Sequence, residues 1–324
     1  NVITSRESSR EHILSVNATL FDGGQDLFGG SYQFTAREGE RTWGVTLSDG
    51  IGMSDSNGIG PSVTRASDGT VLRAEDFYND GYGGGTSIRG NYGSPMLGGK
   101  VDLTARYGIN DWHSVTRLTA PGSRRESRYD NDGSSGEVGV VYTRPLGEGL
   151  SVESRFIHEF SDCDSVSTYN ADTGSDPAPE QRFESVGDAS ETILRSLVRW
   201  ERSETLTFEG GGEVAYNRLD TTQAFSVGGA PVPLPSASVT VEETRGELFG
   251  KTTWRMTPDL SLEGGLRLEA STISQSGDAD HEKSFYFAKP RLQLTWTPMA
   301  DNQLRVRFER EVGQLDFGDF AASA

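Results

Sequence analysis

Apolar residues fall on every second position through most of this chain, and four times an aromatic, a short turn and a leucine separate one alternating segment from the next. Tyr142 precedes the turn at Arg144–Gly147 and then Leu150; Trp200 precedes Glu201–Glu204 and then Leu206. Trp254 precedes Thr257–Asp259 and then Leu260; Trp296 precedes Pro298–Asn302 and then Leu304. A strand sends alternate residues to opposite faces. After Pro258 one face takes Leu260, Leu262, Leu266 and Leu268, and the other takes Ser261, Glu263, Arg267 and Glu269. Those two sets cannot share an environment, because a charge loses its hydration where leucine is at home. Tyr286, Ala288, Leu292, Leu294 and Trp296 split in the same way from Lys289, Arg291, Gln293 and Thr295. The split recurs from Leu14–Leu20, Tyr32–Ala36 and Val101–Tyr107 onward; Glu191–Trp200 is less clean, with Ile193 and Leu197 out of phase with Leu194 and Val198. Aromatic rings at hairpin ends are what a lipid–water boundary selects.

Composition agrees. The 324 residues carry a net charge of −18 and only 34% are hydrophobic, lean for a soluble core of this size. Strands that are apolar on one face only have this low hydropathy, and the sustained period of two argues against disorder. No run of eighteen apolar residues occurs, so no transmembrane helix is expected. The acidic balance argues against nucleic acid as a partner. Asn1–Thr4 runs straight into charged Arg6 and Glu7, so a leader, for an exported protein, is expected upstream. The lone Cys163, between Asp162 and Asp164, reads as an unpaired loop residue.

Connections alternate short and long. Short ones are expected near 38–41, 95–99, 144–149, 201–205, 255–259 and 297–303; long ones near 21–30, 50–84, 108–134, 161–190, 221–238 and 276–283. That asymmetry favours an antiparallel transmembrane β-barrel over a soluble sandwich. The count implies about thirteen strands, with the chain ends on opposite rims and Ala321–Ala324 entering an outer loop. An open sheet in lipid leaves edge N–H and C=O groups unpaired, so residues 1–324 read as a partial, all-β barrel, a portion of a larger one.

Three stretches resemble TonB-dependent outer-membrane receptors. Asn1-Val2-Ile3-Thr4 resembles the end of that family's plug domain. Lys289–Pro298, followed by Asn302-Gln303-Leu304-Arg305, is similar to a mid-barrel strand–turn–strand. Phe308–Phe320 resembles the outward strand after that hairpin, ending in a Phe-x-Asp-Phe rim. The resemblance implies a barrel of about 22 strands closed around a plug, located in the bacterial outer membrane and surrounded by its lipid. It also implies active uptake of a scarce nutrient of the ferric siderophore, corrinoid or oligosaccharide class. The parent's partners would be its own plug, the TonB energy-coupling protein and a small nutrient ligand. Plug, coupling segment and closing strands are not among these residues, so the activity is expected of the parent protein.

Other chemistry is weakly supported. Tyr129-Asp130-Asn131-Asp132-Gly133 is spaced like the start of a calcium loop, but its Gly comes early, and a turn is expected instead. His12, His113, His158 and His281 lack metal-ligand spacing, and Gly83-Gly84-Gly85 reads as flexible backbone at a loop end. No nucleophile–base series points to an enzyme, and no cofactor is expected. Lumen-facing Arg267, Arg305 and Arg307, with Glu269 and Glu309, are expected to form a hydrated wall able to meet a solute. The outer loops are first in line for recognition. Phe77, Tyr78 and Tyr82 interleave with acids in one of them, Tyr169 lies in the acidic stretch 161–190, and Tyr129 stands beside Asp130. A passive porin-like channel is the alternative function, and a soluble adhesion module the third.

Overall fold

The computed structural model describes residues 8–21, 26–172, 174, 177–278, 280–299 and 301–313. Asn1–Thr4, the end of the Phe308–Phe320 stretch from Gln314, and Ala321–Ala324 lie outside the described residues.

Among the described residues, fifteen strands form one antiparallel sheet. They are β1 (Ser8–Thr19), β2 (Leu27–Glu38), β3 (Arg41–Met53), β4 (Gly58–Arg65), β5 (Val71–Met96), β6 (Gly99–Ala120), β7 (Ser123–Gly147) and β8 (Leu150–Asp172). They continue as β9 (Gln181–Ser203), β10 (Leu206–Val227), β11 (Ala230–Val232), β12 (Ser238–Thr257), β13 (Leu260–Gly277), β14 (His281–Met299) and β15 (Asn302–Glu309). Thirteen follow one another as neighbours; β4 is a side pairing on β5, and β11 one on β10. The expected strand count and the antiparallel all-β class are therefore met. Each next-neighbour pairing is the cheapest closure available to a chain, because a two-residue turn loses little entropy.

All six expected short turns are present on one rim, closed by Glu38↔Arg41, Met96↔Gly99, Gly147↔Leu150, Ser203↔Leu206, Thr257↔Leu260 and Met299↔Asn302. At Leu97-Gly98 both residues have positive φ, 53° and 75°. That is the mirror-image hairpin turn whose twist matches the strands, and glycine carries half of it without strain. Tyr142 Oη donates to the Leu97 carbonyl at 2.9 Å, so a rim aromatic also ties down the adjacent turn.

The other rim differs from expectation. Segments 108–134 and 161–190, read as loops, are mostly strand: β6 runs to Ala120, β7 starts at Ser123, and β8 reaches Asp172. Likewise β5 begins at Val71, inside the expected loop 50–84. Backbone pairing does not require an apolar side chain, and above the greasy belt β7 and β8 carry polar residues on both faces (130–135, 161–165), so alternation gives no signal there. Cys163 and Tyr129–Gly133 are consequently strand residues, not loop or turn. Gly83 is not a flexible hinge. A Cβ there would meet the Asp111 carbonyl at 2.2 Å and the Trp112 ring at 2.7 Å, so close approach demands glycine.

Burial is inverted relative to a water-soluble protein. Glu243, Arg245, Glu247 and Glu269 are 9%, 8%, 8% and 9% exposed, while Leu248, Leu268, Val214 and Tyr286 are 67%, 50%, 58% and 79% exposed. The register places the charged set on one face of the sheet and the apolar set on the other. Charged side chains crowd one another with no second layer over them, so the sheet curves toward their face. The leucine face is convex and continuous: Leu206, Trp254, Leu262, Leu294 and Val306 stand side by side on five neighbouring strands. The two sides are set out along β14, where Trp296 and Tyr286 are ten positions apart on the leucine face. Ten residues at ~3.3 Å, inclined ~45°, rise ~23 Å, close to the ~25 Å apolar band of an outer-membrane barrel.

Candidate functional site

Two parts of the concave face can meet a solute. The first is the wall level with the leucine belt. Here charges are neutralised by cross-strand partners, directly opposite for Arg195 on Glu213 (3.1 Å) and Lys251 on Glu209 (2.7 Å), diagonal for Arg245 on Glu213 (3.6 Å), Lys289 on Glu269 (2.7 Å) and Arg291 on Glu263 (3.3 Å). Arg267 joins this lattice through Glu247 at 3.5 Å. Arg195 and Arg267 also lie over the Phe249 ring, at 4.4 and 6.0 Å from its centre. Such contacts hold long side chains in fixed places and keep an inward-facing charged surface hydrated but balanced. Of the residues expected in the wall, Arg267 and Glu269 enter this ion-paired lattice, and Arg267 lines a groove of about 680 Å³ with Lys251, Glu263 and Lys289. Arg305 and Arg307 are on β15, on the same face but at the end of the sheet; Arg307 contacts Glu309 and Glu311. They are not brought together with Arg267, because β14 intervenes.

One level higher, Glu137, Glu159, Glu191, Asn217 and Glu243 form a single row across five strands. Sequence reasoning missed this convergence, since these residues are scattered over about a hundred positions. Glu243 accepts a bond from Asn217 Nδ2 at 3.0 Å and lies 3.9 Å from Arg245. With Arg106, Glu159 and Glu191 these residues line a cavity of about 490 Å³.

The second part is at the rim opposite the short turns. Tyr129 and Tyr169, two of the expected recognition residues, do come together there, in a groove of about 390 Å³ that Phe183, Phe225 and Gln181 also line. Tyr129, Ser167, Phe183 and Phe225 occupy one row across β7–β10. Phe183 and Phe225 were not singled out from sequence: they are 42 positions apart, and their polar neighbours hide any alternation.

The β5 aromatics are placed elsewhere. Phe77 shares the concave face but pairs with Leu118, outside the groove. Tyr78 and Tyr82 alternate with it: Tyr78 lies beneath Arg117 at 5.2 Å, and Tyr82 packs on His113 at 5.6 Å, both on the convex side. Asp130 and Asp132 also project to that side, away from Asn131. Among the described residues no three His, Cys, Asp or Glu side chains converge to hold a metal.

The rim's convex side is braced by charge. Glu126 is gripped by Arg117, Arg124 and Arg128 at 2.8, 2.7 and 2.7 Å. The bond from Arg124, opposed by partial burial and reinforced by Arg117 and Arg128, pulls the Glu126 carboxyl down to about 2. On the concave side Arg125 is bound to Glu75.

With this geometry in view, a family model for the TonB dependent receptor-like β-barrel matches residues 17–313. Among solved structures, the copper transporter OprC is 13% identical with a TM-score of 0.55, covering 93% of this chain and 45% of that one. The siderophore receptor PiuA from Acinetobacter baumannii is 10% identical with a TM-score of 0.50, covering 92% of this chain and 48% of that one. The chain spans about half the length of these structures, and at such identity they attest the fold alone. No curated protein matches the chain significantly. Because the family model covers nearly its whole length, the chain belongs to the TonB-dependent receptor β-barrel family.

Proposed function

We propose that this barrel is the wall of an outer-membrane receptor that takes up a scarce nutrient actively. The observation that carries the reading is the inverted burial: a convex leucine belt with nothing over it and a concave face of neutralised charge. Lipid of the bacterial outer membrane would cover the belt, where each leucine removes apolar area from water. A plug from the same parent protein would rest against the ion-paired wall. The TonB protein would move that plug from the periplasmic side, and a small ligand would be captured at the opposite rim. Tyr129 and Tyr169 are the favoured ligand contacts; Phe77 and the wall arginines Arg267, Arg305 and Arg307 come after them, and Tyr78 and Tyr82 fit the convex surface better.

The test is growth of a strain lacking the full-length receptor on single limiting nutrients, with and without collapse of the proton-motive force. Energy-dependent loss of growth on one nutrient class supports active uptake. Undiminished growth on every class, together with steady ion conductance of the purified receptor in a planar bilayer, would replace it with a passive pore.

A further inference from the structure

We infer that the rim groove is built for a neutral, polyhydroxylated ligand of the oligosaccharide class; this deepens the uptake reading and rests on it. The groove joins two rows of the concave face. In one, Ser114, Tyr129, Ser167, Phe183 and Phe225 succeed each other on β6–β10. In the next, Thr116, Ser127, Tyr169 and Gln181 do so on β6–β9. Neighbouring strands are ~4.8 Å apart, so rings and hydroxyls are interleaved at about the spacing of a side chain.

That pattern suits a ligand whose rings have an apolar C–H face and an edge of hydroxyls. Aromatic faces receive the first, and hydroxyl and amide groups the second. Thr116 is already committed to Asn79 at 2.6 Å, whereas Ser114, Ser127, Ser167 and Gln181 make no side-chain hydrogen bond among the described residues. They are therefore left to a ligand.

Charge points the same way. Arg128 alone among the lining residues is charged, and its guanidinium is spent on Glu126 at 2.7 Å. An anionic ligand finds no uncommitted cation to offset its desolvation, and the chain's −18 charge repels it. A cationic ligand finds no carboxylate in the lining among the described residues. A neutral ligand suffers neither penalty.

The experiment is calorimetric titration of the full-length receptor in detergent with neutral hexasaccharides of the maltose, cellulose and xylan types, a ferric tris-catecholate and cyanocobalamin. Saturable binding of a hexasaccharide, unchanged by added salt, is the expected result. Tyr169→Ala and Phe183→Ala should each weaken it about tenfold, the loss of one stacked ring. Asp68→Asn, in the β4–β5 turn, should leave it unchanged. Phe183→Tyr keeps a ring and should keep binding, which separates a lost contact from a misfolded barrel. Binding of the catecholate or the corrinoid without any hexasaccharide overturns the sugar assignment and leaves uptake standing. Hexasaccharide binding that neither alanine variant weakens overturns the groove as its site. Failure of every probe overturns the sugar assignment and counts against uptake with it.

Discussion

The lower and upper halves of the same strands obey opposite rules. In lower β12, Leu248 and Trp254 face out while Glu243, Arg245, Glu247 and Lys251 face in. In upper β12, Ser238, Thr240 and Glu242 take the outward parity and Val239 and Val241 the inward one. No bulge separates the halves, since the register with β13 is unbroken from Val239 to Arg255. β13 swaps likewise, from Leu268 out and Glu269 in to Ser274 out and Ile273 in. The backbone does not change; the solvent does. Below, hydrocarbon surrounds the barrel and the lumen is wet. Above, water is outside, and Val239, Val241 and Ile273 close on Leu219 and Phe285 as a small dry cluster. Alternation reports only that two environments exist, and height decides which of them is apolar.

Five substitutions in the full-length receptor probe that contrast. The largest effect is expected for Leu266→Arg, which puts a charge near mid-height of the belt and should cost ~2–4 kcal/mol in urea titrations of vesicle-folded protein. Thr272→Arg, three outward positions higher, should stay within ~0.5 kcal/mol; equal costs would erase the distinction between halves. Next comes Val241→Ala. Val241 is fully buried, so loss of two methyl groups and the space left should cost ~2 kcal/mol.

Third is acid. The Glu126 carboxyl is lowered in the folded state, so its contribution is complete above its ordinary pKa and disappears as pH falls toward 2. After screening at this partly wet rim we expect about 1 kcal/mol, lost between roughly pH 5 and 2. Comparing wild type with Glu126→Gln by thermal melts across that range should give a difference that vanishes at the acid end. The smallest effect is expected for Arg267→Gln, about 0.5 kcal/mol, because one cross-strand ion pair in a hydrated wall is worth little.

What could be read from sequence follows the same division. The short turns, the leucine faces and the wall arginine Arg267 were legible because the belt forces alternation and tight turns force Gly, Pro and Asp. The out-of-phase segment of β9 has a structural cause: Ile193 faces inward beside Ile157 and Ala215, a patch of apolar residues on the concave face. The lengths of β7 and β8 above the belt were illegible, since polar residues on both faces leave no period there. The rim groove was half legible. Tyr129 and Tyr169 stood out beside acids, but only register brings Phe183 and Phe225 to them.

The central claim is that hydrocarbon covers the leucine belt. Spin labels scanned along β12 and β13 of the receptor, with Cys163→Ser and reconstituted in lipid vesicles, test it most directly. Between Trp254 and Leu248, and between Leu262 and Leu268, even-numbered positions should collide with oxygen and not with a water-soluble nickel complex. Odd-numbered ones should be shielded from oxygen, and above Thr244 the even positions should become open to nickel. Even positions shielded from both probes, or reached by nickel along the whole strand, would contradict the account.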